Sequence, residues 1–171
     1  AEAAPHHLVL DETRVEGYDA NAKMYPPLRT QADVEALRRG LADGTIDCIA
    51  TDHAPHHRDE KAAEFDAAAF GIVGLETLLP LSLSLVTEGA ITMERMVEAL
   101  TQSPARCLGL DRGTLAKGAV ADVTVFDASS SSTLDAASLR SKSSNTPFDG
   151  WTLSGRATHT IVGGRCVWRQ P

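Results

Sequence analysis

Residues 51–56 read Thr-Asp-His-Ala-Pro-His and follow directly on a short apolar run, Ile46 to Ala50. The length and composition of that run suit a buried strand. A carboxylate and imidazoles just past the C-terminal end of a strand occupy the position where an (α/β) barrel keeps its chemistry. Asp52 can bind a metal or move a proton, and His53 and His56 can do either or grip an anion. The strand fixes the backbone, so the short segment from Asp52 to His56 can aim both kinds of group into one pocket. Spacing alone fits a solvated loop equally well, so the surrounding elements have to decide.

Upstream, Pro5-His6-His7 follows a short β-like ending and precedes an apolar Leu8-Val9-Leu10. Residues 11–21 are polar and glycine-bearing, which predicts a loop. Met24 to Arg29 contains Pro26-Pro27 and must be extended, because each proline restricts the residue before it. Thr30 predicts a helix cap, with Asp33 as an acidic capping-box partner and Val34, Leu37 and Leu41 as the apolar face. Gly44 ends that helix. Downstream of the Asp/His segment, Asp59-Glu60-Lys61 belongs to a charged loop. Residues 75–87 predict a buried helix, Thr92 opens another, and Ser103-Pro104 opens a third with Ser at the N-cap and Pro at N1. Loop, helix, strand, loop, helix, helix is an α/β order.

The character changes near residue 111. Val123, Val125 and Phe126 mark a strand, Ser129 to Ser132 a flexible polar turn, and residues 151–153, 156–162 and 165–168 further strands. Gly163-Gly164 between the last two is a two-residue hairpin signal. The expected division is therefore 1–110 and 111–171.

The chain has 171 residues, room for one domain with a core or two small pieces, and its net charge of −7 argues against nucleic-acid binding. No apolar run reaches the length of a membrane span. Neither a basic segment nor an apolar signal core opens the sequence, and with no initiator Met the expectation is a chain that begins inside a longer reading frame. Cys48, Cys107 and Cys166 lack CxxC spacing; two sit in apolar strand-like settings where buried, reduced thiols are expected. A cytoplasmic protein fits.

Several stretches together resemble the dihydroorotases of the bacterial type I branch, within the amidohydrolase superfamily: Pro5-His6-His7-Leu8, Lys23-Met24-Tyr25-Pro26-Pro27-Leu28-Arg29, residues 43–56, Asp59-Glu60-Lys61, residues 70–77 and Asn145-Thr146-Pro147-Phe148. Residues 118–127 resemble the β-unit of many amidohydrolases. The resemblance implies the C-terminal part of a metal-dependent (β/α)8 barrel, its last two strands and helices, followed by a small β-sandwich unit. It implies reversible zinc-dependent hydrolysis of the cyclic amide of dihydroorotate to N-carbamoyl-L-aspartate, a step of pyrimidine biosynthesis. A complete barrel needs about 250 residues, so the rest of the barrel is an expected partner and this piece alone is expected to be inactive. The resemblance also implies, as further partner states, a homodimer or a complex with aspartate transcarbamoylase. Hydantoinase, allantoinase and a non-catalytic scaffold for the transcarbamoylase are the alternative readings.

The resemblance further implies roles. Asp52 is the matching zinc ligand and proton shuttle, and the other ligands of a binuclear zinc site are expected outside this chain. His56 matches the residue that contacts the substrate carboxylate, and Phe70 and Gly71 a segment whose backbone lies against the substrate. Tyr25 stands where type I enzymes usually place a substrate-binding Asn; it keeps a donor and an acceptor but reaches further. His6 and His7 are read as structural, His53 and His57 as supporting or solvated, and His159 as a sheet residue. Lys23 and Arg29 are read as surface cations, with steering of an anionic substrate as the alternative. Trp151 and Trp168 are read as packing.

Overall fold

In the computed structural model, which describes residues 1–170, β1 (Glu2–Ala3) and β2 (Cys48–Ile49) form a parallel pair, Glu2 opposite Cys48 and Ala3 opposite Ile49. The strand expected over residues 46–50 shortens to two residues because its neighbour β1 offers only two. The connection between them carries α1 (Pro5–Val9) and α2 (Gln31–Asp43). Pro5 sits in the first turn of α1, where a missing N–H costs nothing. Thr30 and Asp33 form the expected capping box on α2, and Gly44 ends it in the left-handed region at φ 85°.

After β2 the chain makes a short helix, α3 (Arg58–Lys61), where a charged loop was expected. His57 caps it: its Nδ1 accepts from the Asp59 N–H, and Glu60 accepts from the His57 N–H. Then come α4 (Leu78–Thr87), α5 (Met93–Leu100) and α6 (Gln102–Cys107). Thr92 caps α5 as expected. Helix α6 begins one residue before Ser103, so Ser103 is not its cap; the serine is fully buried, and Pro104 still lies in the first turn, where no N–H is needed.

The remaining strands, β3 (Val123–Thr133), β4 (Thr152–Val162) and β5 (Arg165–Arg169), form one antiparallel sheet in that order. Gly163 and Gly164 turn the β4–β5 hairpin. Ser129 to Ser132 belong to β3 rather than to a free turn: Ser131 and Ser132 pair with Ser154 and Leu153, and one of the two register irregularities of this pairing sits between Asp127 and Ser131. There the Asp127 carboxylate accepts from the Ser129 N–H and hydroxyl, a local substitute for ladder bonds. The two strands expected over 151–153 and 156–162 are continuous through Gly155. At φ 100° that glycine brings β4 so close to α4 that a Cβ would stand 2.1 Å from Leu83 Cδ1. Among the described residues these three strands form a single sheet.

Helix α4 joins two apolar clusters. Leu83 and Leu85 pack with Leu8, Leu41, Met96 and Ala99. Leu81 packs with Leu10, Met24, Ile72 and Phe148. The second cluster bears on function, because Met24 and Ile72 each neighbour a candidate site residue, Tyr25 and Gly71. Of the cysteines, Cys48 is buried, whereas Cys107 and Cys166 are exposed, so only one of the expected buried thiols is found. Among the described residues no helix is long and apolar enough to cross a membrane.

Candidate functional site

Because β1 and β2 run parallel side by side, residues just past their C-terminal ends meet in space. His6 follows β1 and Asp52 follows β2. The Nε2 of His6 lies 3.9 Å from Oδ2 of Asp52. Burial, with His7 beside it, pushes the His6 pKa down to about 3, so near neutral pH the ring is uncharged and the contact is not an ion pair. Nε2 is fully buried and has no hydrogen-bond partner. Leaving such a group unpaired costs about 1–3 kcal/mol. Asp52 is half-exposed and adopts φ 48°, the left-handed region that Asp tolerates better than most residues. A neutral imidazole nitrogen with no partner, facing a carboxylate, is a donor pair suited to a cation such as zinc. Among the described residues no three His, Cys, Asp or Glu side chains converge, so the pair is an incomplete ligand set.

His6 was read from the sequence as structural, and this geometry corrects that reading by bringing it to the site. The signal was present: like Asp52, it lies three residues past a strand end. His7 does hold structure, its Nε2 lying 2.8 Å from the Pro26 carbonyl. That contact fixes the segment bearing Tyr25, whose peptide bond to Pro26 is cis.

Two segments form the floor. His53 bridges to Ile72 in parallel, the Ala54 N–H donates to the Ile72 carbonyl at 2.8 Å, and the Gly74 N–H donates to His53 Nδ1 at 3.0 Å. This pairing aligns His56 with Phe70, and His56 Nε2 lies 2.8 Å from the Phe70 carbonyl. Gly71 adopts φ 101°, and a Cβ there would stand 2.6 Å from the Ala54 Cβ. Its N–H donates to the Lys23 carbonyl, and its carbonyl accepts from Lys61 Nζ and Asn145 Nδ2. The backbone polar groups of Gly71 are thus spent within the protein; what Gly71 contributes is the absence of a side chain. The rings of Phe70 and Tyr25 meet edge to face, centroids 5.7 Å apart, and both are exposed.

Lys23 and Lys61, read as a surface cation and part of a charged loop, are both buried. Lys23 donates to the carbonyls of Asp66 and Ala68 and lies 4.3 Å from the Phe70 ring centroid. Lys61 donates to the carbonyls of Ala69 and Gly71, and burial lowers its pKa. Together the two ammonium groups hold the backbone of residues 66–71. Sequence periodicity could not reveal this, since a buried Lys and a solvated one look alike in the chain. A cavity of about 450 Å³ opens beside them, lined by His56, Lys61, Lys142 and Asn145 among others. Arg29 stays exposed beside Asp33, and His159 lies half-buried in β4. Trp151 packs on Phe148, while Trp168 lies against the Arg140 guanidinium.

Residues 10–167 match the Amidohydrolase family. A dihydroorotase of Geobacter sp. (strain M21) is 58% identical over 168 residues, 98% of this chain and 40% of the relative. A dihydroorotase of Anaeromyxobacter dehalogenans (strain 2CP-C) is 61% identical over 97% of this chain and 39% of its own length. Among solved structures, an L-hydantoinase (dihydropyrimidinase) from Arthrobacter aurescens matches with a TM-score of 0.91 at 32% identity, covering 98% of this chain and 39% of that one. The chain spans about two fifths of the length of these relatives.

Proposed function

Because the chain belongs to the amidohydrolase family, we propose that it is the C-terminal part of a dihydroorotase. In this reading residues 1–110 close a (β/α)8 barrel, residues 111–171 join a composite β-unit, and the substrate is dihydroorotate or, in reverse, N-carbamoyl-L-aspartate. The observation that carries it is the His6–Asp52 pair at the ends of neighbouring parallel strands. The high identity to dihydroorotases over nearly the whole chain supports the substrate.

The pair would hold one edge of a zinc site, with the remaining ligands outside this chain. When bound, zinc supplies Lewis acidity, polarising the ring carbonyl and lowering the pKa of water towards ~7. Hydrolysis adds water across the ring C–N bond, and the leaving nitrogen must gain the proton that water loses. Asp52 takes that proton on a carboxylate oxygen and returns it to the nitrogen; synthesis runs the same transfer backwards. His6, neutral at working pH, keeps its Nε2 electron pair for the metal. His56 holds the substrate carboxylate by a charge-assisted hydrogen bond. The Phe70–Gly71 backbone lies against the ring, and Gly71, with no side chain, lets that segment pack close on Ala54 beside His56. Tyr25 offers a hydroxyl at the rim.

The test is steady-state turnover by the full-length protein of dihydroorotate, hydantoin and allantoin, side by side. We expect zinc-dependent turnover of dihydroorotate at a kcat/KM at least ~100-fold above the other two. A preference for hydantoins, favoured by the likeness to the Arthrobacter aurescens structure, would sink the dihydroorotase reading. Co-purification with aspartate transcarbamoylase, with neither zinc nor turnover, would mark a scaffold instead. The 171-residue chain alone is expected to turn over nothing, since two side chains do not complete the zinc site.

A further inference from the structure

We infer that Asn145 is a positioning residue, whose side-chain amide sets the spacing between the His56 loop and the Gly71 segment. The side chain is buried and lies between two stretches of chain remote from it in sequence. Its Nδ2 donates to the Ala54 carbonyl at 2.9 Å and to the Gly71 carbonyl at 3.1 Å. Its Oδ1 accepts from the His56 N–H at 3.2 Å. The Asn145 main-chain carbonyl accepts from the Val73 N–H at 3.0 Å, so backbone and side chain grip the same two segments.

The chemistry selects an amide. Two carbonyls and one N–H face this point, and only a planar head with two donors and an acceptor answers all three. An Asp keeps the acceptor and sets an oxygen against two carbonyls; an apolar side chain leaves all three groups unpaired. The anchor is firm. Three residues on, Phe148 is fully buried, its ring edge to face with Trp151 at 5.1 Å, and the Pro147 carbonyl accepts from the Arg14 guanidinium. Asn145 therefore links the core under β4 to the loop carrying His56. None of its hydrogen bonds goes to Asp52 or His6, so it acts by placing His56, not by joining the chemistry.

A merely structural residue would lower thermal stability and the active fraction without changing KM. A positioning residue shifts the substrate-binding His56, so KM rises while kcat holds. This kinetic part rests on the dihydroorotase reading; an amide-exchange arm does not. In the full-length protein, Asn145→Ala is expected to raise KM for dihydroorotate about 10-fold or more with kcat within ~3-fold, and to speed hydrogen exchange at the His56 amide about 10-fold. The Leu81 amide, bonded within the helical region to Thr77, is the control and should stay unchanged. Asn145→Asp keeps the acceptor, so His56 amide protection should persist while KM still rises; it also serves if the alanine variant fails to fold. Unchanged His56 exchange in Asn145→Ala overturns the inference whatever the substrate proves to be, as does a fall in melting temperature with KM unmoved in both variants.

Discussion

His56 and Phe70 are joined through a 2.8 Å contact between the ring Nε2 and the main-chain carbonyl, while the other ring nitrogen, Nδ1, lies 3.6 Å from the Glu60 carboxylate. One nitrogen of the proposed carboxylate-binding residue is thus engaged inside the protein, and the other faces a carboxylate. Any anionic substrate that reaches this ring competes with a carbonyl on one side and a carboxylate on the other. Glu60 itself is held by its bond from the His57 N–H at the start of α3, so the competitor is fixed in place.

Glu60→Gln keeps the acceptor for the His57 N–H and removes the charge beside His56. Interactions between partly exposed charges, here Glu60 and an anionic substrate, are worth about 0.2–1 kcal/mol. KM for dihydroorotate should therefore fall by about 1.4- to 5-fold, with the melting temperature little changed. Steady-state kinetics on the full-length variant checks this, and a raised KM would show that Glu60 assists binding.

His6→Ala should remove at least one equivalent of zinc from the full-length protein, and Asp52→Asn should do the same. Elemental analysis of the purified variants gives the count directly, with no need for activity. A His6→Ala protein that keeps its full zinc complement would remove His6 from the ligand set.

Gly71→Ala forces a side chain into positive φ and against the Ala54 Cβ. Left-handed strain and overpacking together predict a loss of about 2–4 kcal/mol. Gly89→Ala is the comparison: its φ is also positive, at 75°, but nothing lies within 4 Å of the new Cβ, so only the strain of about 1–2 kcal/mol remains. Urea unfolding of both variants separates the two terms; equal losses would mean that the Ala54 contact relaxes freely.

Thr30→Ala removes the α2 cap and should cost about 1 kcal/mol near neutral pH. The Thr30 hydroxyl is the main reason the Asp33 carboxyl titrates below its usual value of 3.8, with the Thr30 N–H and the Arg29 charge adding to it. A carboxyl depressed in the folded state stabilises it above the unfolded pKa, and that contribution disappears as pH falls through the folded value. The gap in stability between wild type and Thr30→Ala should therefore be full above about pH 4 and shrink as the solution becomes more acid. Denaturant titrations across that range would show it; a gap that widens in acid would contradict the assignment.

Parts of the fold were legible because their determinants are neighbours in the chain. Thr30, Asp33 and Gly44 bound α2 as expected, Thr92 opens α5, and Gly163-Gly164 turns the last hairpin. The errors share a cause too. Ser129 to Ser132 look like a free polar turn, but β4 offers Ser131 and Ser132 ladder partners from more than twenty residues away. Asp59-Glu60-Lys61 looks like a solvated loop, yet carbonyls from residues 69 and 71 draw the Lys61 ammonium inward.

By itself the sequence determined the local pieces: a strand that delivers Asp52, a capped helix before it and a glycine-turned hairpin at the end. Their resemblance to dihydroorotases pointed to the reaction class. Only the tertiary structure decided which side chains meet. His6 and Asp52 are brought together by two parallel strands, and Asn145 meets His56 and Gly71 through the burial of Phe148. The physical reason is range: caps and turns close hydrogen bonds between residues two to four apart, while these contacts join residues 46, 74 and 89 positions apart and exist only once the core has formed.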